Sequence, residues 1–529
     1  MCIRDSLSSF SQASGSFQNN TGKFLGAYAQ DSWKLNHRLT FDYGLRWEPF
    51  IPQSADGRMG QFNPTYYASA THSSVFPNAP IGLRFPGDTG MPAAGLYNTY
   101  KNFMPRVGFA YDLLGDGKTS LRGGAGMFYD TRMNDLFNNG WIGSLPFVES
   151  YSSSNPTASD PTATFSNPYG KTANPFPAAT PLPSTVTFTS PFSVITFDPS
   201  GHFQVPLMYN WNLVIERQIT TSMSSRIAYV ASHGSHLFDC PELNPAVQTG
   251  STDTAGNENA RRPYQGYSNI PESNMGGNSN YEALQATLSE RARYGLSGTL
   301  NYTWSKSIDN IPWDTAVTSA GTGQTFVLPS YVPNFKRLDT GPSVFDHRNN
   351  IAFSYVWNFP AIKGSDLVVR QIVNGWQTTG ILAVHSGDAL NITVGADTSL
   401  AGLGTGIDVP NRIASGYGGS ACTYGTAATT TCTNYLDPTA FTRPANDTFG
   451  NLKKDSLVGP RYIDWDGSLK RDFGLGREST NLEFRAEYFN LLNHTNLGDP
   501  NLTQSSASFG RITSDIAPRI AQLSLKLLF

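Results

Sequence analysis

The chain has 529 residues, of which only 15% are charged and 12% are aromatic, and its net charge is −3. A soluble globular chain carries about 25% charged residues, so this composition argues against a string of ordinary soluble domains, and the near-neutral charge leaves no footprint for a nucleic-acid partner. Mean hydropathy is −0.31 and no apolar run approaches the roughly 18 residues a spanning helix needs, which excludes a helical membrane protein but not an all-β, antiparallel transmembrane β-barrel, whose alternating strands average to a bland hydropathy.

Residues 1–23 read as an irregular N-terminal segment. Met1-Cys2-Ile3-Arg4-Asp5-Ser6 has neither an apolar core nor a small-residue cleavage site, so the signal that an exported protein requires is expected upstream. From residue 24 onward the informative signal is period-2 alternation, which puts one set of side chains on each face of a strand. In the first predicted hairpin Leu25, Ala27, Ala29, Trp33 and Leu35 oppose Gly26, Tyr28, Gln30, Ser32 and Lys34. After the Asn36-His37 turn, Leu39, Phe41, Tyr43, Leu45 and Trp47 oppose Thr40, Asp42, Gly44, Arg46 and Glu48.

The pattern predicts about thirteen strands near 24–35, 38–50, 104–113, 119–130, 207–219, 223–233, 281–291, 295–308, 347–359, 375–387, 461–472, 481–491 and 518–529. Short turns (Asn36-His37, Gly115 to Lys118, Thr220 to Ser222, Ala292 to Tyr294) alternate with long connections at 51–103, 131–206, 234–280, 309–346 and 388–460.

A soluble β-sandwich also alternates, but three features favour the barrel. The predicted strands are about the 9 to 11 residues that cross a bilayer at a tilt. Trp33, Trp47, Trp304, Trp357 and Phe359 sit near strand ends on the apolar face, where an interfacial girdle belongs. The sorted loop lengths match short periplasmic turns and long extracellular loops. Because bacterial single-chain barrels have even strand numbers, an odd count with a first strand running inward predicts a portion of a larger barrel, with further strands upstream.

Enzyme chemistry finds no constellation. Gly402 to Gly406 lacks the Lys-Ser/Thr of a phosphate loop. Asp464 and Asp466, like Glu483, Arg485 and Glu487, read as charges and ion-pair ladders on the polar face. His233 and His236 lie at a strand end without further ligand candidates. No metal or cofactor is therefore expected. Cys422 and Cys432, close in a Gly/Ala/Thr-rich loop, are the pair expected to form a loop disulfide in an oxidising compartment.

The final strand carries Leu523, Leu525, Leu527 and the terminal Phe529 on one face, which resembles the C-terminal signal that outer-membrane proteins present to the barrel-assembly machinery. Tyr28-Ala29-Gln30-Asp31-Ser32-Trp33, Tyr43-Gly44-Leu45-Arg46-Trp47-Glu48, Pro105 to Tyr111 and Glu487 to Asn496 resemble barrel segments of TonB-dependent receptors. Tyr229 to Leu237, Tyr281 to Gln285, Tyr302 to Ser307 and Asp346-His347-Arg348 are similar to the Oar-like branch of that family. The resemblance implies part of a roughly 22-stranded barrel of an outer-membrane receptor or transporter for a large ligand, such as a saccharide or peptide. Its implied partners are outer-membrane lipid, the assembly machinery, and TonB only through N-terminal parts not found in these residues. A passive porin-like channel and a surface adhesion or structural protein are the alternative readings.

Overall fold

A computed structural model describes the chain except for residues 1–8, 15–20, 54–58, 133–145, 155–159, 177–183, 312–327, 330–331, 333, 363–368, 370–371, 405, 420, 424–430, 476–479 and 517. Among the described residues the dominant element is one antiparallel sheet in which each strand pairs with the next in sequence. Its strands are β1 (Ala27–Lys34), β2 (Leu39–Trp47), β3 (Phe103–Asp112), β4 (Thr119–Tyr129), β5 (Leu207–Gln218), β6 (Met223–Asp239) and β7 (Glu272–Arg293). They continue with β8 (Leu296–Asp309), β9 (Asn349–Asn358), β10 (Trp376–His385), β11 (Tyr462–Gly474), β12 (Asn481–Phe489) and β13 (Ile520–Leu528). All thirteen expected strands are present, in the expected order.

Register carries one face unbroken from strand to strand. A single cross-strand row runs Leu39, Tyr111, Leu121, Ile215, Ile227, Ala286, Tyr302, Ile351, Val384, Ile463 across β2 to β11. The row displaced by one residue runs Thr40, Ala110, Arg122, Val214, Ala228, Gln285, Thr303, Asn350, His385, Tyr462. Ten apolar or aromatic residues thus adjoin a row that is mostly small, polar and charged, Val214 and Tyr462 being its exceptions, because directly paired residues share a face. The row climbs as it crosses the sheet, from the first residue of β2 at the short-turn end to the second of β11 at the long-loop end. That drift is the tilt and stagger of a barrel wall. Nine residues of β2 at about 3.3 Å each, tilted by about 40°, span roughly 23 Å, close to the ~25 Å apolar band of outer-membrane barrels.

Among the described residues, none covers the apolar face. Ile227 is 55% exposed, Trp304 54% and Leu525 69%. A continuous apolar surface on this scale is incompatible with water and calls for an apolar solvent. Its polar exceptions are accommodated locally. Asp31 accepts the Tyr43 hydroxyl at 3.0 Å. Arg471 sits at the short-turn end over the rings of Phe473 and Trp376 and donates to the Ile372 carbonyl.

Turn chemistry explains the tight connections. The Asn36 side chain accepts the N–H groups of Arg38 and Leu39, and Asp112 accepts those of Gly115 and Gly117, both of which have positive φ. Gly295 has φ 80°, and a Cβ there would lie 2.0 Å from the Asn358 carbonyl oxygen, so no larger residue fits that turn.

Two sequence expectations need redrawing. The connection expected at 234–280 narrows to 240–271, because β6 and β7 run on as a ladder with register shifts at Gly234, Leu237 and Asp239. Residues 272–280 are polar and Gly-rich, so backbone pairing there leaves no alternation to read. The segment 1–23 is not wholly irregular either. Ser9–Ala13 pairs with Ser150–Ser154, two Ser-rich stretches without apolar periodicity. The main sheet is open among the described residues, with β1 and β13 as its edges.

The register makes a direct prediction. Leu213→Arg, mid-strand on the apolar face, should cost about 2–4 kcal/mol when the protein is unfolded by urea in liposomes. Asn212→Arg, its neighbour on the polar face, should cost less than about 1 kcal/mol. Equal costs would refute the sidedness.

Candidate functional site

The polar face is laced by ion pairs. Glu216 lies 3.6 Å from both Arg122 and Arg226 on the flanking strands. On β11 and β12, Asp472 and Glu483 are directly opposed. Lys470 relieves the repulsion at 3.4 Å from Asp472 and 2.7 Å from Glu483, and Arg485 lies 3.1 Å from Glu483 and 3.5 Å from Glu487. This is the ladder expected for Glu483, Arg485 and Glu487. The outer pairs, such as Arg122–Glu216, contribute about 0.2–1 kcal/mol each, so their main effect is to keep the face charged. Asp466 accepts the Asn490 N–H at 2.9 Å, while Asp464 faces the Tyr462 hydroxyl at 3.2 Å. His233 hydrogen-bonds Asn280 at 2.8 Å, and a register shift separates it from His236.

Above the sheet, the long connections build their own cores. One cluster joins Phe50, Phe62, Leu83 and Phe85 to Phe192, Phe197, Phe203, Tyr267 and Ile270, so three separate connections meet in it. A second gathers Leu390, Ile392, Leu436, Phe441, Leu457 and Phe509, and a third Leu328, Val332, Ala401, Leu403 and Ile407. Burying one such Phe or Leu contributes about 1.5–3 kcal/mol, so these are folded loops.

Several buried polar groups bridge the connections, while others, such as Glu242 Oε2 and Asp408 Oδ1, have no hydrogen-bond partner among the described residues. The Asn244 amide donates to the carbonyls of Tyr264, Tyr267 and Ser268 and accepts the Tyr264 N–H. Two adjacent arginines tie the clusters together. Arg261 donates to the carbonyls of Val247 and Leu400, at 2.8 and 2.7 Å, and pairs with Asp253 at 3.2 Å. Arg262 reaches Asn269, Gly402 and the Asn244 carbonyl. Lys454 pins another connection to the top of β8 through Asp309 at 2.7 Å and the Pro342 carbonyl. Chain segments more than a hundred residues apart are thereby held as one cap over the long-loop end.

Cys422 and Cys432 face each other in a two-stranded hairpin and are joined by a disulfide; Cys432 also exchanges backbone hydrogen bonds with Ile512. Trp33, Trp357 and Phe359 lie at the short-turn end. The Trp357 indole donates to the Tyr294 carbonyl, and its ring centroid is 4.6 Å from that of Phe359. Trp47 and Trp304 lie at the long-loop end, with the Trp47 indole donating to Tyr100 at 2.7 Å. Leu523, Leu525 and Leu527 project from the edge strand β13 on the apolar face, in register with Ala486, Phe484 and Leu482, and Phe529 is 95% exposed. Alternation could not show the cap, because its cores draw on residues scattered over long irregular stretches.

The cap contains a titratable strut. Glu242 accepts the N–H groups of Asn244 and Ile270 at 2.8 and 2.6 Å. Burial pushes its carboxyl up to about 7, against the opposing pull of those hydrogen bonds and of Arg262. Burial likewise raises Asp339 to about 7. A folded-state value above the unfolded 4.5 of Glu242 means that the folded cap holds a proton the unfolded chain has released. Cap stability should therefore be full below about 4.5 and fall as pH rises through about 7. Hydrogen exchange over residues 240–275, measured on either side of that interval, should show slower opening on the acid side. Glu242→Gln should reduce the difference, with Glu272, which burial also pushes up to about 7, retaining part of it; an unchanged profile in that variant would contradict the assignment.

Among solved structures, the outer membrane transporter YddB from Escherichia coli is similar at 10% identity and TM-score 0.43, covering 95% of this chain and 54% of that one. The ferripyoverdine receptor of the outer membrane of Pseudomonas aeruginosa is similar at 10% identity and TM-score 0.41, covering 96% and 38%. The ferric-catecholate import receptor Fiu from E. coli K12 is similar at 10% identity and TM-score 0.40, covering 95% and 44%. The chain thus spans about half or less of the length of these proteins. No curated protein matches it in sequence. Residues 3–522 match the model of the outer membrane beta barrel domain, a span that takes in twelve strands of the sheet and the start of the thirteenth; the chain belongs to that family, and its place is the bacterial outer membrane.

Proposed function

We propose that the chain is the barrel part of a TonB-dependent outer-membrane receptor or transporter for a large ligand, a saccharide, a peptide or a similar molecule. The single observation that carries this reading is the cap: connections at the long-loop end interlock through three apolar cores and the Arg261-Arg262 tie above a wall whose other face is polar. A lipid-facing apolar side and an aqueous polar side follow from the register. Short periplasmic and long extracellular connections put the cap outside, as residues 24–529 require if they form the barrel portion. An ordered external surface of this size suits capture of a ligand too large for diffusion through an open pore. β13 and its terminal Phe529 are the proposed recognition element for the assembly machinery, and the Cys422–Cys432 disulfide the proposed covalent staple of the outer cap.

Energised uptake separates this reading from its alternatives. Cells carrying the protein are exposed to labelled oligosaccharide or peptide mixtures with and without a protonophore. Surface binding should survive the protonophore and accumulation should be lost. Accumulation that continues without energy would point to a passive channel, and binding that never leads to accumulation to an adhesion protein. Removal of Phe529 should lower the amount of heat-modifiable protein in the outer membrane without changing its synthesis; undiminished assembly would remove the role given to that residue.

A further inference from the structure

We propose that the polar face carries an oxyanion-binding subsite centred on Arg106, which takes a carboxylate- or phosphate-bearing group of the ligand; the proposal rests on the reading of that face as a lumen. Gln30, Gly44 and Arg106 share one cross-strand row, and Tyr28, Arg46 and Met104 the next. Together they line a hollow of about 340 Å³. A second hollow of about 450 Å³ continues along the face past Ser32, Asp42 and Gly108, and Arg106 stands between the two.

The space exists because side chains are missing. Gly44 floors the trough, Gly108 and Gly124 oppose each other beside it, and Gly126 pairs with Arg106. A Cβ at Gly44 would come within 3.0 Å of the Gln30 Cβ, and one at Gly126 within 3.3 Å of the Arg106 Cγ.

Two guanidiniums reach this hollow, and they differ. Arg46 is neutralised by Glu48, whose other oxygen takes the Thr131 hydroxyl at 3.3 Å. Arg106 is exposed and, among the described residues, has no ion-pair partner within 4 Å. Its guanidinium lies 4.6 Å over the Phe128 ring, a cation–π contact that restrains the donor fork beside the hollow. A planar fork is matched to two oxygens of a carboxylate or phosphate. The Tyr28 hydroxyl, on a side chain 70% exposed, and the Gln30 amide supply further donors. Asp42, in the second hollow, sets a negative boundary toward the short-turn end. Arg106 is the fourth residue of β3 counted from the long-loop end, so a ligand passing the cap meets the cation before the anion.

Arginine modification by phenylglyoxal tests this on the full chain in detergent, read residue by residue by mass spectrometry in chloride, inorganic phosphate or acetate. Phosphate and acetate should slow modification of Arg106 about tenfold relative to chloride, the scale of a charge-assisted contact, and leave Arg122, already beside Glu216, unchanged. Protection by one anion alone supports the subsite and assigns its class. Equal modification of Arg106 in all three salts overturns it. As a second readout, ³¹P line broadening of inorganic phosphate should disappear in Arg106→Gln and persist in Arg122→Gln; persistence in the first also overturns it. Ser32→Cys, on the same face, reports the lumen separately with a membrane-impermeant maleimide. Labelling at Ser32→Cys without protection at Arg106 removes the subsite and leaves the lumen; no labelling removes both.

Discussion

The two-residue period of the extended chain governs this structure. A slip of one residue between any two neighbours would move every side chain of a strand to the opposite face, exchanging Ile215 for Val214 or Ile227 for Arg226. The cost would fall on both sides at once, with charges placed in hydrocarbon and apolar groups in water. The register therefore holds through ten strands in the row from Leu39 to Ile463. It shifts only where that penalty is absent: near Gly234 to Asp239, where β6 and β7 run beyond the apolar band, and between Glu290 and Arg293 beside the short turn.

With the wall so constrained, the free variables are the connections and the polar side. The connections are not slack. Their aromatic residues, dispersed along the sequence, condense into cores that no single connection could form, and the backbone they bury is satisfied by Asn244, Arg261, Arg262 and Glu242. Packing of this kind turns loops into a surface able to hold a shape against a ligand. The polar wall combines spent charges, such as the Lys470–Glu483–Arg485 ladder, with Arg106, which projects over Phe128 from a floor of glycines. The ladder keeps charge on the wall, and Arg106, without an ion-pair partner among the described residues, is the group proposed to make that wall selective.

The wall was legible in the sequence because the lipid imposes a binary demand on alternate residues. Among the described residues, each long strand from 24 to 529 whose side chains alternate is one that the sequence predicts. Where water or protein surrounds the strand the demand lapses, and legibility lapses with it. Residues 272–280 form a ladder without alternation, and Ser9–Ala13 pairs without an apolar side. The cap cores were invisible because their contacts join residues such as Phe62 and Tyr267, whose proximity no local pattern encodes. The hollow at Arg106 stands between these cases. Glycines at 44, 108, 124 and 126 fall on polar positions of adjacent strands, a signal that becomes readable once register is known.

One face of this sheet meets lipid and the other meets water. Spin labels placed one at a time along β2 and along the row Tyr43, Val107, Ala125, Trp211, in protein reconstituted into liposomes, test it most directly by their accessibility to oxygen and to a water-soluble nickel chelate. Accessibility should alternate with a period of two along β2, and oxygen should dominate at every position of the cross-strand row. Uniform access of the nickel chelate, or a period that changes phase between neighbouring strands, would contradict the account.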